Sequence, residues 1–271
     1  FGAGALYNDI VWCKRADTYK CSVLQAYTNA MDRLEELVEG KKSGTWCVVL
    51  DADETIISNV DFQATGLPFS SSRWDAWCKK AAATALPGGK EFCALARKLG
   101  GKVIIVTNRK GHLQAPTEKN LKDLDFPYDV LLTRGGPYAD DREKTMRRAD
   151  IEKGEIKTLP AGMKLPPLEI VMLAGDQIHD IYDHGSFDFA KDGDRFGRDL
   201  IIIPNPMYGS WTRPPMYPSS TASSSSARTT ETAAAADSSG TISAEEAMSR
   251  VGDRVTVETK IVSFYDPLER G

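Results

Sequence analysis

Trp46-Cys47-Val48-Val49-Leu50-Asp51-Ala52-Asp53-Glu54-Thr55 is the stretch on which the reading of this chain turns. Five apolar residues run without polar alternation, the pattern of a strand buried on both faces in a parallel sheet flanked by helices. The run ends on two carboxylates two residues apart, which leave the strand toward the same side. Like charges that close are costly unless a cation lies between them or one carries a proton. Asp-x-Asp alone is more simply an acidic turn, because Asp favours turns. Its neighbours decide between the two.

Upstream, Tyr19, Val23, Tyr27, Ala30, Met31, Leu34, Leu37 and Val38 recur at three- and four-residue intervals. That period predicts an amphipathic helix over residues 16–39, stopped by Gly40. Downstream, helices are expected over 70–85 and 91–99, with Pro87-Gly88-Gly89 between them, and Lys-Val-Ile-Ile-Val-Thr at 102–107 reads as a second buried strand. A helix near 116–124, a short strand at 129–132, a charged helix over 142–153 and strands at 169–173 and 200–203 complete the series. Strands alternating with helices define βαβ units: a three-layer α/β fold around a parallel sheet. Ligands of such sheets collect at the carboxyl ends of the strands. Asp51 and Asp53, Thr107 and Asn108, and Asp176 and Asp180 all fall there.

Composition narrows the function. The 271 residues are 41% hydrophobic and 27% charged, with 34 Lys and Arg against 38 Asp and Glu. A net charge of -4 gives no basic field to recruit nucleic acid or anionic lipid, and no apolar run approaches the roughly 20 residues that span a bilayer. The cysteines, Cys13, Cys21, Cys47, Cys78 and Cys93, form no CxxC pair and no Cys/His cluster, which argues against structural zinc. Cys13 and Cys21 could pair in an exported protein. His112, His179 and His184 carry neither RHGxRxP nor HExxH, so His179 is expected beside a site rather than as a ligand in it.

Taken alone, Lys144 is a solvated helix-face lysine and Gly175-Asp176 an ordinary turn. Taken in order, Asp51 and Asp53, Thr107 and Asn108, Lys144, then Asp176 and Asp180 resemble the haloacid dehalogenase (HAD) superfamily of aspartate-nucleophile phosphohydrolases. Asp51-Ala-Asp-Glu-Thr55, Trp74 and Trp77, the segment ALPGGKEF at 85–92, TNRK at 107–110, GDQIHDI at 175–181 and RFGRDLIIIPNPMYGSW at 195–211 are similar to the class C acid phosphatases of the lipoprotein e type. GDQIHDI differs from that family's usual GDNxxD form, and the loop at 134–141 before Lys144 is atypical.

The resemblance implies an enzyme: a phosphomonoesterase, of acid phosphatase and 5'-nucleotidase type, working through an aspartyl-phosphate. Asp51 would be the nucleophile, and Asp53 the acid that protonates the leaving oxygen and the base that later activates water. Thr107, Asn108 and Lys144 would hold the phosphate. Mg2+ takes oxygen ligands at about 2.0 to 2.1 Å, and the implied metal set is Asp51, Asp53, Asp176 and Asp180. Within it Asp51 and Asp176 would join the Ala52 carbonyl as ligands, while Asp180 binds a metal water or orients Lys144. Trp77 and Tyr208 match positions whose rings stack on a nucleoside base. Glu54 and Arg109 are expected to anchor their loops, and Trp74 to pack in the core. Small phosphate monoesters, above all nucleoside monophosphates, are the implied substrates, an exported location the implied setting, and a homodimer is compatible with it. A non-catalytic binding or storage protein on the same fold is the competing reading, against which the presence of Asp51 weighs. A phospho-aspartate receiver is disfavoured by Asp53 and the Trp-containing insertion.

The expected organisation is a phosphatase domain over residues 1–213, with a small helical cap inserted at about 56–86. Residues 214–240, almost entirely Ser, Thr and Ala from 219 on, read as a linker. Residues 241–271 end in an alternating run, Arg254-Val-Thr-Val-Glu-Thr-Lys260, that reads as the opening of a small OB-like β segment or as a disordered tail.

Overall fold

The computed structural model of the chain describes residues 7–212, His184 excepted. In chain order its elements are α1 (Asn8–Arg15), α2 (Asp17–Leu37), β1 (Trp46–Leu50), β2 (Ile57–Ser58), α3 (Val60–Gln63), α4 (Ser71–Lys80), β3 (Thr84–Ala85), α5 (Gly89–Lys98), β4 (Lys102–Lys110), α6 (Gln114–Asp123), β5 (Val130–Arg134), α7 (Thr145–Lys153), β6 (Glu169–Gly175), α8 (Phe189–Asp192) and β7 (Leu200–Ile202).

Five strands form one parallel sheet in the order β5-β4-β1-β6-β7. β1 is central, and every residue of it is buried. Its alternate side chains feed two cores: Trp46, Val48 and Leu50 face a large cluster with Tyr19, Tyr27 and Phe92, and Cys47 and Val49 face a smaller one with Ile104, Val106 and Ile151. Burial on both faces explains why no polar residue interrupts the run. Each Val, Leu or Ile so buried stabilises the fold by about 1.5 to 3 kcal/mol.

The helix expected over 16–39 is α2, which packs on α5. Gly88, at φ +84°, turns the chain into α5, and a Cβ there would stand 2.7 Å from the Tyr27 Cβ. The expected helix over 70–85 ends earlier. α4 stops at Lys80, where Ala81 takes φ +52°, and Thr84–Ala85 instead pairs antiparallel with Ile57–Ser58. A two-stranded ribbon and two short helices therefore make up the segment between β1 and α5. α1 carried too short an apolar pattern for periodicity to show it. No helix among the described residues is long and apolar enough to cross a membrane, and all five cysteines are free thiols. The linker at 214–240 and the segment at 241–271 lie outside the described residues.

The strand order reverses beside β1: the chain runs β1, β4, β5 to one edge, then crosses back to β6 and β7. Such a switch point leaves a crevice at the carboxyl ends of the two strands flanking it. Register makes this concrete. Leu50 pairs with Ile105 on one side and Ala174 on the other, so Asp51 emerges level with Val106 and Gly175, one residue short of Thr107 and Asp176.

Candidate active site

Asp51, Asp176 and Asp180 meet in that crevice, each offering a carboxylate oxygen within 4.8 Å of the others. Asp51 is fixed by its position: its N–H donates to the Ala174 carbonyl at 2.9 Å, extending the β1–β6 ladder by one residue. Asp176 takes 2.7 Å bonds from Gln177 Nε2 and Asn205 Nδ2. Asp180 turns back over the strand end, where its Oδ2 accepts from the Gln177 N–H at 3.0 Å.

Lys144 closes the group. Its Nζ bonds Asp51 Oδ1 and lies 2.8 Å from Asp180 Oδ1, with the side chain 2% exposed. Lys144 precedes α7 in a left-handed conformation, φ +61°, and two buried residues hold it there. Asp141 accepts the first-turn N–H groups of Met146 and Arg147, both at 3.0 Å, where a helix terminus favours negative charge. Arg147, fully buried, donates to Asp141 Oδ2, the Thr107 carbonyl at 2.6 Å and the Asn108 Oδ1 at 3.0 Å. It thereby ties α7 to the end of β4.

The electrostatics follow from three buried carboxylates sharing one ammonium. Burial, working against Lys144, carries the Asp51 carboxyl up to about 7. Burial, with the charges of Asp180 and Asp51, carries Asp176 well above its ordinary range. Burial alone would raise Asp180 too, yet the bonded Lys144 brings it below its usual value. Burial opposes the charge on Lys144, but Asp180 and Asp51 hold its pKa above that of a free lysine. The set is a hard-oxygen donor cluster with more negative charge than its own cation neutralises, which fits a divalent ion such as Mg2+.

Asp53 stands apart from that cluster. Its Oδ1 takes Arg109 Nη2 at 2.7 Å, Arg109 Nε at 3.0 Å and Asn59 Nδ2 at 2.8 Å, and the side chain remains 18% exposed. The Ala52 carbonyl is engaged within the loop by Ile56 and Ile57 N–H groups at 3.1 and 3.0 Å, so it does not complete the carboxylate group. Thr107 Oγ1 accepts from the Arg109 N–H at 3.2 Å and keeps its own proton to donate. The Asn108 amide is turned to the 134–142 loop, donating to the Arg142 carbonyl at 2.8 Å.

Trp77 is half-buried and donates its indole N–H to Asn59 Oδ1 at 2.8 Å, while the Tyr208 hydroxyl bonds Glu54. Glu54, wholly buried with φ +54°, has a carboxyl raised to about 8 by burial and the adjacent Asp53, and it accepts the Asn59 N–H at 2.6 Å. Trp74 covers the Arg109 guanidinium, 5.5 Å from its ring centre. His179 Nε2 comes only to 3.9 Å of Asp180, and His112 pairs with Asp75 at 2.7 Å away from the cluster. Asn59, Arg147, Gln177 and Asn205 were not singled out from sequence. Gln177 and Asn205 lie inside quoted motifs, but nothing in the spacing marks Asn59 or Arg147.

Fold and site together define an α/β protein with a carboxylate–lysine centre at the switch point of its sheet. The chain belongs to the HAD superfamily, subfamily IIIB (acid phosphatase), whose family description matches residues 7–211. It is 28% identical over 172 residues to Acid phosphatase 1 of Solanum lycopersicum, a match covering 59% of this chain and 57% of that protein. The chain thus spans little more than half the length of this curated relative. A class C acid phosphatase from Bacillus anthracis with tungstate bound superposes with a TM-score of 0.64 at 26% identity, over 75% of this chain and 84% of that one. A second structure of the class C acid phosphatase from that organism, 24% identical with a TM-score of 0.64 and the same coverage, shares the fold.

Proposed function

We propose that the protein is a Mg2+-dependent phosphomonoesterase that turns over through an aspartyl-phosphate. The observation that carries this is Lys144 bridging Asp51 and Asp180, with Asp176 completing the acidic group at the strand ends. A phosphate monoester repels nucleophiles because its oxygens are negative, so a site must neutralise that charge and align the attacking atom. Asp51, Asp176 and Asp180 would hold Mg2+, which when bound neutralises charge shared by the carboxylates and the substrate phosphate. Lys144 and the Thr107 hydroxyl take the nonbridging oxygens.

Asp51 attacks phosphorus, and the bond to the ester oxygen breaks. Asp53 delivers a proton to that departing oxygen. Water, deprotonated by Asp53, then attacks the phosphorus of the aspartyl-phosphate, releasing inorganic phosphate and restoring Asp51. Nucleoside 5'-monophosphates are the favoured substrates in this reading, with Trp77 and Tyr208 beside the base. Export from the cytoplasm, a homodimer and the division into a phosphatase domain, linker and C-terminal segment belong to the same proposal and rest on the resemblance and on composition.

The test is hydrolysis of nitrophenyl phosphate and of nucleoside monophosphates across pH, with Mg2+ or with chelator. Activity should vanish with chelator, return with Mg2+, and fall at least about a thousandfold in Asp51→Asn. Undiminished turnover in that variant sinks the nucleophile assignment.

A further inference from the structure

Asn59 is wholly buried, and every polar atom of its side chain is engaged. Nδ2 donates to Asp53 Oδ1 at 2.8 Å and to Glu54 Oε2 at 3.2 Å, while Oδ1 accepts from Trp77 Nε1 at 2.8 Å and from Arg109 Nη2 at 3.2 Å. Its backbone N–H takes the other Glu54 oxygen. The amide cannot be turned over, because its oxygen would then face two carboxylates and its NH2 would face an indole N–H and a guanidinium, pairing donor with donor.

The consequence falls on Asp53. Its Oδ1 already receives three donors, two from Arg109 and one from Asn59, whereas Oδ2 meets only Arg109 Nε, at 3.1 Å, among the described residues. The two oxygens of one carboxyl are thus made unequal by their surroundings: one takes three donors, the other one.

We propose that Asn59 is a positioning residue for the reaction: it locks the Asp53 carboxyl in the rotation that presents Oδ2 to the leaving-group oxygen, and it is itself locked by the indole N–H of Trp77 on α4. The segment between β1 and α5 therefore orients the acid–base group. Arg109 grips the carboxyl through Nε and Nη2, and Asn59 Nδ2 adds a separate donor on Oδ1 that holds the rotation should the guanidinium shift.

This rests on Asp53 acting as general acid, and the experiment separates the two claims. Asp53→Asn, Asn59→Leu and Trp77→Phe are each assayed at saturating Mg2+ on a nitrophenyl ester, whose leaving group needs little protonation, and on an alkyl phosphate, whose leaving group needs it most. Proton delivery is worth about a hundredfold or more where it matters. Asn59→Leu should lower kcat for the alkyl ester by about thirtyfold and for the nitrophenyl ester by no more than about threefold, with KM for both nearly constant. Trp77→Phe, which keeps an apolar ring and loses only the N–H, should show the same bias at about threefold to fivefold, and it carries the test should Asn59→Leu fail to fold. Equal losses on both esters in folded Asn59→Leu, or in Trp77→Phe, overturn the positioning role. Equal losses in Asp53→Asn itself overturn the general-acid reading instead.

Discussion

Asp51 and Asp53 are separated by one residue, yet their carboxylates enter different ion pairs: Asp51 bonds Lys144, whereas Asp53 Oδ1 lies 2.7 Å from Arg109 Nη2. Backbone bonding divides them. Asp51 still belongs to the sheet through Ala174, while the following residues close a tight loop in which the Ala52 carbonyl accepts from the Thr55, Ile56 and Ile57 N–H groups and Glu54 adopts a positive φ. The Tyr27 hydroxyl braces that loop from α2 with a 2.7 Å bond to the Thr55 carbonyl. Two like side chains thus receive two environments, as the proposed division of attack and proton transfer between them requires.

Lys144→Met removes the ammonium between Asp51 and Asp180 while filling its volume. Breaking a buried ion pair by deleting one partner costs about 3 to 5 kcal/mol, so the metal-free variant should melt well below the parent protein. Under the proposed metal site, Mg2+ would supply replacement charge to the same carboxylates. Part of the lost Tm should therefore return on adding Mg2+, while kcat stays at least about a hundredfold low. A variant whose Tm ignores Mg2+ would place the cation elsewhere.

The pH dependence of metal binding has a definite sign. In the metal-free fold Asp51 has its carboxyl raised to about 7, chiefly by burial, and burial likewise raises Asp176 well above the ordinary carboxylate range. Between about pH 4, where unfolded aspartates release their protons, and pH 7, the folded chain holds protons that the unfolded chain has lost. Stability from these groups is present at the acid end and declines as pH rises through that window. A cation must displace those protons, so the Tm increase given by a fixed Mg2+ concentration should grow from pH 5 to pH 7.5. A pH-independent increase, measured by calorimetry, rules out Asp51 and Asp176 as the ligands.

Gly175 tests how closely the site is packed. A Cβ there would lie 2.5 Å from the Asp180 Cβ and 2.7 Å from its Oδ2, so Gly175→Ala must displace the residue that holds Lys144. Overpacking of this kind costs about 1 to 3 kcal/mol. The expected result is a folded protein with a modestly lowered Tm, kcat down by more than about tenfold and a weaker response to Mg2+. Parent-like kcat would mean that Asp180 can move without consequence.

The buried strands of the sheet were legible because a strand covered on both faces must be apolar throughout, and polar residues at the strand ends mark the crevice by themselves. Asp51, Lys144, Asp176 and Asp180 come together where the order of motifs implied. What escaped reading shares one physical cause. Arg147 and Asn59 are polar residues buried by partners that only the fold brings together, such as the Thr107 carbonyl for Arg147 and Trp77 and Arg109 for Asn59, and a pattern of apolar and polar positions scores them as exposed. The α7 helix looked like a solvated charged helix for that reason, although Arg147 is wholly buried in it. The end of α4 was misplaced because Ala81 is the one residue that turns the chain, and alanine carries no turn signature. Asn108, in line with Thr107 by sequence, is drawn aside by Arg147 and Arg142, which only the fold brings near.

Substrate class turns on Tyr208, whose ring and hydroxyl have separable roles. The hydroxyl bonds buried Glu54 and the main-chain carbonyl accepts from Gln177 at 3.3 Å, so the residue is held from both ends beside Asp176. A ring fixed in that way loses little freedom on meeting a base, and stacking contributes about 1 to 3 kcal/mol per base without selecting its identity. Tyr208→Ala should therefore raise KM for nucleoside monophosphates by about tenfold or more, across all four bases alike, and leave KM for a small alkyl phosphate within about twofold. Tyr208→Phe keeps the ring and removes the hydroxyl, so its KM for nucleotides should stay within about threefold of the parent. Should Phe behave as Ala does, the hydroxyl anchor on Glu54 is what matters and the stacking role is lost. Should Ala weaken the alkyl ester as much as the nucleotides, Tyr208 shapes the phosphate site itself, and nucleotides have no special claim as substrates.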